Sequence, residues 1–292
     1  MKPLERSNPF VPVICMICIT LTAAFCQYPG IVIPGLLGGV TFFSLVAGKK
    51  GKTTHFACAL LFIASTVVNP LVSHNGVTVL FFLNDRPITL EAVFVGASNG
   101  AVMAEVIYYF ACLTRIMTSD KLLYVFGKVS PKSALILSGA LRFIPLLRKK
   151  NAAIEDTQTA LGLYRHGNMA SNGRNRLRVF SALTSWALEN GIVTADSMAA
   201  RGYTDGKRTY FSPYPFTAGD AVWIAFCLIC LSSLITASAA GAFGFGYYPQ
   251  AAVKGGAAAN AAFCALYAVM CFLPAAIQIK EAARWKYLIS KT

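Results

Sequence analysis

Residues 131–162, PKSALILSGALRFIPLLRKKNAAIEDTQTALG, and residues 174–202, RNRLRVFSALTSWALENGIVTADSMAARG, decide how the chain reads. They lie in a polar middle, from about Pro131 to Thr209, that interrupts an otherwise apolar sequence. Ser130 caps a helix with Pro131 at its first position and Lys132 next. An apolar pattern then runs through Leu141, Ile144, Leu147 and Ile154 toward Leu161 and stops at Gly162. Gly167, Asn168, Asn172 and Gly173 predict a loop. Val179, Phe180, Leu183, Trp186 and Ala187, at three-and-four spacing, predict a second helix that continues past Val193 and Met198 to Ala200, Arg201 and Gly202. Both long helices end on a small residue followed closely by glycine.

Ala-Arg-Gly at a helix end has the chemistry of a plug. Glycine takes the left-handed conformation that closes the last turn. Alanine keeps the backbone thin enough to enter a groove, and arginine presents a rigid fork of donors to a carboxylate or to carbonyls. On these residues alone, an ordinary C-cap with a cation suited to the helix dipole explains the pattern as well.

Outward from this middle, the composition is that of a polytopic membrane protein: 292 residues, 56% hydrophobic and 13% charged. The apolar runs are Phe10–Cys26, Ile31–Ala47, Phe56–Val72, Ala92–Leu113, Ala218–Ala239 and Ala257–Ile279. They predict an all-α fold of about six transmembrane helices. The regions are residues 1–114, N-terminal spans; 115–216, a cytoplasmic pair of long helices; and 217–292, C-terminal spans and a basic tail. With the N-terminus inside, only Arg86 and Lys254 of the 26 basic residues fall outside, so both termini are placed in the cytoplasm. The net charge of +14 therefore marks cytoplasmic loops rather than a nucleic-acid surface. Lys2 and Arg6 precede the first run as they would a signal peptide, but no small-x-small cleavage pattern stands before Cys26, and the run is kept as a span.

Several features carry less than they suggest. Gly51, Lys52 and Thr53 resemble the end of a phosphate-binding loop, but Val46 stands where that motif needs glycine, so no nucleotide is expected on this chain. The nine cysteines lie in or beside apolar runs and read as small buried hydrophobes; no metal, zinc included, is expected. No catalytic constellation appears. Val77–Leu83 is too short to span and predicts a re-entrant or surface-lying piece. Asn69 and Pro70 should bend or end the third span, and Pro145 and Pro274 should kink their helices. Gly96, Gly100 and Ala104 form a small-residue packing face, one step from Glu105, the one acid well inside a predicted span. Thr118–Gly127 predicts a short amphipathic helix lying in the membrane interface, with Leu122, Leu123 and Phe126 on its apolar face. Arg174, Arg176 and Arg178 are expected to open the second long helix, and Thr217 with Asp220 to cap the fifth span.

The run Leu141, Arg142, Phe143, Ile144, Pro145, then Gln158 to Gly162 and Ala195 to Tyr203, resembles the transmembrane (T) component of energy-coupling factor transporters, ATP-driven importers of vitamins and metal ions of the cytoplasmic membrane of bacteria and archaea. The resemblance extends upstream through Asn75, Gly76, Asp85 to Glu91 and Thr118 to Lys121, about residues 70–205 in all. It implies two coupling helices whose Ala-Arg-Gly ends dock into two ABC-type ATPase subunits, which bind the ATP and Mg, while this chain binds no cofactor. The second motif stands here as Ala200, Arg201, Gly202; the first departs, as Ala160, Leu161, Gly162, with leucine in place of arginine. The resemblance also implies a platform for a small substrate-binding membrane (S) subunit, on Leu137, Leu141, Phe143, Ile144 and Leu147. Because T components are not expected to bind substrate, a structural role is favoured for Glu105. The competing readings are the permease of a conventional ABC importer and a secondary transporter, of which only Glu105 is a hint.

Overall fold

The computed structural model describes residues 8–26, 28–73, 75–83, 86–162, 169–203, 214, 216–241, 244–248, 252–254 and 256–289. The chain forms two units, Met1–Leu122 with Tyr214–Thr292, and Leu123–Pro213.

The first unit is built from α1 (Phe10–Phe25), α2 (Pro29–Ala47), α3 (Lys52–Val72) and α4 (Leu90–Ile116), joined by α8 (Ala218–Ala239) and α9 (Ala257–Ile289) from the end of the chain. Five of these, with α9 counted over Ala257–Lys280, are long and apolar enough to cross a membrane. At 16 residues, α1 is shorter; it rises about 24 Å against a hydrocarbon core of about 30 Å. The chain is an all-α polytopic membrane protein. Thr217 and Asp220 make the expected capping box on α8. Pro70 sits two residues before the end of α3, whereas α9 continues through Pro274 to Ile289.

Small residues set how closely these helices approach. A Cβ at Gly96 would meet the Ser65 carbonyl and Asn69 Cβ at 2.9 Å, and one at Gly100 the Phe62 carbonyl at 3.1 Å, so α3 and α4 touch backbone to backbone. Polar side chains fasten the same seam: Ser65 Oγ donates to the Gly96 carbonyl at 3.0 Å and Asn69 Nδ2 to the Ala92 carbonyl at 2.6 Å. On α2, Gly38 and Gly39 admit Tyr109, and Gly39 also packs on the Tyr108 Cβ. Phe42, Phe43, Ile19, Tyr267 and Met270 complete the core. All nine cysteines are free and all but Cys264 are buried, as small hydrophobes would be; among the described residues no His, Cys, Asp and Glu group is arranged to hold a metal. Gly51 closes a 3-10 turn between α2 and α3, and Lys52 begins α3. This junction is helix–turn–helix, where a phosphate-binding loop follows a strand.

Two short hairpins depart from the all-helical pattern. Residues 79–83, expected as a re-entrant or surface-lying piece, form β1 (Val79–Leu83), paired antiparallel with β2 (Arg86–Thr89). The run VLFFL is rich in residues that suit strands, and its length fits a strand better than a helix. Its base is tied down: Leu90 N donates to the Thr78 carbonyl, Thr89 Oγ1 donates to the Asn75 carbonyl, and Glu91 accepts from Thr78 N and Oγ1. Asn75, Gly76, Thr89 and Glu91, distant in sequence reading, are thus one structural knot. The second hairpin pairs β3 (Gly244–Gly246) with β4 (Ala252–Lys254). Its aromatic rings reach the bundle, Phe245 against Tyr28 at 6.0 Å and Tyr247 donating to Ser98 Oγ at 2.9 Å.

α5 (Ser119–Val129) forms where expected, and its apolar face is turned outward, as in a helix lying in the membrane interface. Leu122 and Phe126 are exposed while Lys121 is only 2% exposed, its ammonium 5.9 Å from the Tyr214 ring. The stem of a lysine is itself apolar, and a cation–π contact gives its head a partner.

The second unit is dominated by α6 (Pro131–Ala160) and α7 (Met169–Ala200), which pack on each other. α6 is continuous through Pro145. α7 starts at Met169, so Asn172 and Gly173 are helical rather than loop, and Arg174, Arg176 and Arg178 lie beyond its first turn, exposed. Gly167 and Asn168 fall outside the described residues.

Candidate functional site

The ends of α6 and α7 are built alike. Gly162 and Gly202 have φ of +69° and +68°, the left-handed region that glycine enters freely. Gly202 N donates to the Ala199 carbonyl at 3.0 Å and Tyr203 N to the Met198 carbonyl at 3.1 Å. These two bonds make a Schellman cap, which satisfies carbonyls the helix would leave free. At the other end Gly162 N donates to the Thr159 carbonyl at 3.0 Å and Leu161 N to the Thr157 carbonyl at 3.0 Å. The closure alone is not distinctive: α8 ends the same way, at Gly241 with φ +70° and a bond to the Ser238 carbonyl.

Exposure and side-chain chemistry set the two ends apart. Ala160, Leu161, Gly162, Ala200, Arg201 and Gly202 are all exposed, and a Cβ placed on either glycine meets nothing within 4 Å. Each end is a thin, open knob. Arg201 brings a guanidinium to one; Leu161, 67% exposed, brings an isobutyl group to the other. The first can pair with carboxylates or carbonyls, the second only with an apolar pocket.

Behind the knobs the helices are stiff and little buried. Lys150 Nζ lies 5.5 Å from the Trp186 ring, a cation–π contact between α6 and α7. From that contact Ala160 is ten residues along α6 and Ala200 fourteen along α7, so the knobs stand about 15 and 21 Å out along their helices. Ser130 Oγ accepts from Ser133 N to cap the start of α6.

Of the platform residues, Leu141 and Ile144 are exposed and Leu137, Phe143 and Leu147 are half-buried, so the apolar half of α6 is not a core helix of this chain. Sequence reasoning missed a second apolar row on α7: Phe180, Leu188 and Ile192, each above 60% exposed. The four-residue spacing was there to find, with Thr184 completing it. Val179, Leu183, Trp186 and Ala187 lie on the less exposed face, while Phe180, grouped with them by sequence, points away.

Glu105 belongs to the membrane unit and is fully buried. Its Oε1 accepts from Tyr267 OH at 2.6 Å, and that hydroxyl is also 3.2 Å from the Ile19 carbonyl. Gly35 packs on the carboxyl, where any Cβ would collide with it. Tyr109 OH reaches the Cys271 carbonyl at 3.5 Å. One carboxyl thus ties together α1, α2, α4 and α9, while its Oε2 has no hydrogen-bond partner among the described residues.

Fold and site together define a polytopic helical membrane protein carrying two long, exposed helices with glycine-closed ends. No family model matches the chain. It is similar to a putative ABC transporter ATP-binding protein of Bifidobacterium longum (strain NCC 2705), 28% identical over 173 residues. That match covers 56% of this chain, which spans 20% of the relative's length.

Proposed function

We propose that this chain is the T component of an energy-coupling factor importer, a non-catalytic membrane subunit that couples ATPase motion to a substrate-binding partner. The observation that carries the reading is the pair of matched, exposed, glycine-closed ends on α6 and α7, of which one holds Ala200-Arg201-Gly202. The likeness to an ABC transporter ATP-binding protein supports an ABC-transporter setting.

In this reading two ABC-type ATPase subunits, holding ATP and Mg, seat one helix end each on the cytoplasmic side of the membrane. Closure on ATP carries the seated ends with it. Because α6 and α7 are long and in contact, displacement of their ends alters how they cross. The apolar rows on α6 and α7 bear the small S subunit, and a change in crossing tilts or frees it. Such a motion follows only if the ATPase contacts differ in free energy between the open and closed states; the Arg201 guanidinium supplies a contact of that kind. The cargo, vitamin or metal ion, is chosen by the S subunit.

A tagged chain purified from native membranes should bring down ATPase subunits together with a small hydrophobic membrane protein, identified by mass spectrometry. ATPases without the small protein would favour a conventional ABC permease. Recovery of neither, from an intact and folded chain, would sink the coupling reading.

A further inference from the structure

The β1–β2 hairpin presents aromatic and aliphatic side chains that the described residues leave largely exposed. Val79, Leu80, Phe81 and Phe82 are all exposed, Phe82 at 69%. Successive residues of a strand point to opposite faces, so exposure of four in a row leaves both faces uncovered. The other hairpin, β3–β4, shows what covering looks like in this same unit, with Phe245 and Tyr247 turned onto Tyr28 and Ser98.

The position of β1–β2 indicates what does cover it. It joins two candidate membrane spans, α3 and α4, and its base is fixed to them through Ile88, which is buried, and through the Thr78, Thr89 and Glu91 bonds. α3 carries an exposed apolar row, Phe56, Leu60, Ile63, Val67 and Leu71, at spacings of three and four, which is the face of a span turned to lipid. That row leads along α3 to the hairpin.

Backbone hydrogen bonding fixes the depth. A two-stranded hairpin has two open edges whose N–H and C=O groups need water, so it cannot lie in the hydrocarbon core. Four exposed apolar side chains in a row are equally unsuited to bulk water. The layer where both demands are met is the boundary between headgroups and acyl chains, where apolar faces bury about 5–10 Å deep and aromatic rings accumulate. We infer that the β1–β2 hairpin is a lipid anchor, seated in the headgroup–acyl boundary of the leaflet opposite the Gly48–Gly51 turn, with Phe81 and Phe82 inserted. It fixes the tilt of α3 and α4, and it holds whether or not the coupling reading does.

The test uses the full chain in lipid nanodiscs, with Phe82→Trp and, separately, Phe81→Trp. Both sites are exposed and the hairpin is tied at its base, so both variants should fold. The added fluorescence is read as the difference from the parent protein, which holds three tryptophans. Lipids brominated near the headgroup should remove most of the added emission, more than lipids brominated near the chain end, while aqueous acrylamide removes little. Acrylamide quenching without bromine quenching would place the hairpin in water and overturn the inference. Emission resistant to both would mean that protein covers the hairpin, and stronger quenching near the chain end would mean that it lies in the core; either would overturn it as well.

Discussion

Glycine serves opposite ends in the two units. In the membrane unit Gly35, Gly38, Gly96 and Gly100 each mark a place where another helix comes so near that a single Cβ would collide or press. In the middle unit Gly139, Gly162, Gly173, Gly191 and Gly202 have nothing within 4 Å of the place a Cβ would take. The first set lets the chain fit itself. The second thins a surface that the chain leaves uncovered, on helices whose large apolar side chains are exposed as well. Tight glycine contacts mark the helix seams of the membrane unit and open glycines mark the two long helices, and that contrast can be broken by mutation.

The largest effect should come from Gly96→Leu. The side chain has to displace the Ser65 carbonyl and Asn69, which are backbone and a bonded side chain, so the α3–α4 seam should open at a cost of about 3 kcal/mol. Thermal unfolding in detergent reads it as a large drop in midpoint, with loss of monodisperse protein. An unchanged midpoint would show that the seam is loose.

Next comes Glu105. Removal of the carboxyl by Glu105→Ala leaves a cavity and takes from Tyr267 its 2.6 Å partner, a loss of about 2–3 kcal/mol in the same melt. Glu105→Gln keeps the shape and an acceptor and should stay within about 1 kcal/mol of the parent. If Glu105→Gln melts normally yet abolishes uptake in reconstituted vesicles, the carboxyl is functional and the structural reading fails.

Arg201→Glu tests the other half of the contrast. It should leave the melting midpoint unchanged, since Arg201 is exposed, yet weaken ATPase binding by about 2 kcal/mol, roughly thirtyfold in Kd by surface plasmon resonance. Undiminished assembly would count against docking at this end. Gly139→Ala is smaller and of opposite sign to Gly96→Leu. In an open helix interior alanine should stabilise by about 0.5–1 kcal/mol. A lowered midpoint would mean that the α6 surface is covered within this chain.

What could be read from sequence follows the same division. α8 was legible residue for residue because Thr217, Asp220 and the Ala-Gly ending state its limits in local chemistry. Both knobs were legible for that reason too: a helix stop is written in glycine, and the two positive-φ glycines are where the apolar periodicity ends. The start of α7 was not, because Asn172 and Gly173 are poor helix formers that here lie within a helix of 32 residues. The apolar side of α5 was legible from its spacing, but the burial of Lys121 against Tyr214 was not, because that contact is tertiary. VLFFL was legible as too short to span but not as a strand, because an unbroken apolar run has no period to tell strand from helix. The knot of Asn75, Gly76, Thr89 and Glu91 and the Glu105–Tyr267 bond, 162 residues apart, are tertiary facts with no local trace.

The smallest effect expected is that of Leu161→Arg, and it is the one that separates the two knobs from each other. Leu161 is 67% exposed on a capped end that already has the same glycine closure as Gly202. Arginine there meets no steric barrier and adds a cation at a helix C-terminus, where the dipole favours it by a few tenths of a kcal/mol. Folding should therefore be unchanged or slightly improved. If the groove that receives this end carries carboxylates or carbonyls as its partner does, ATPase affinity and transport should stay within about twofold of the parent. If the groove is apolar and shaped for leucine, burying a guanidinium against it should lower affinity by a factor of ten or so. Tolerance would mean that the two ATPase seats are alike and that leucine is an accommodated departure. Intolerance, with normal folding, would mean under the proposed function that the two ends meet different seats, one that reads charge at Arg201 and one that reads shape at Leu161.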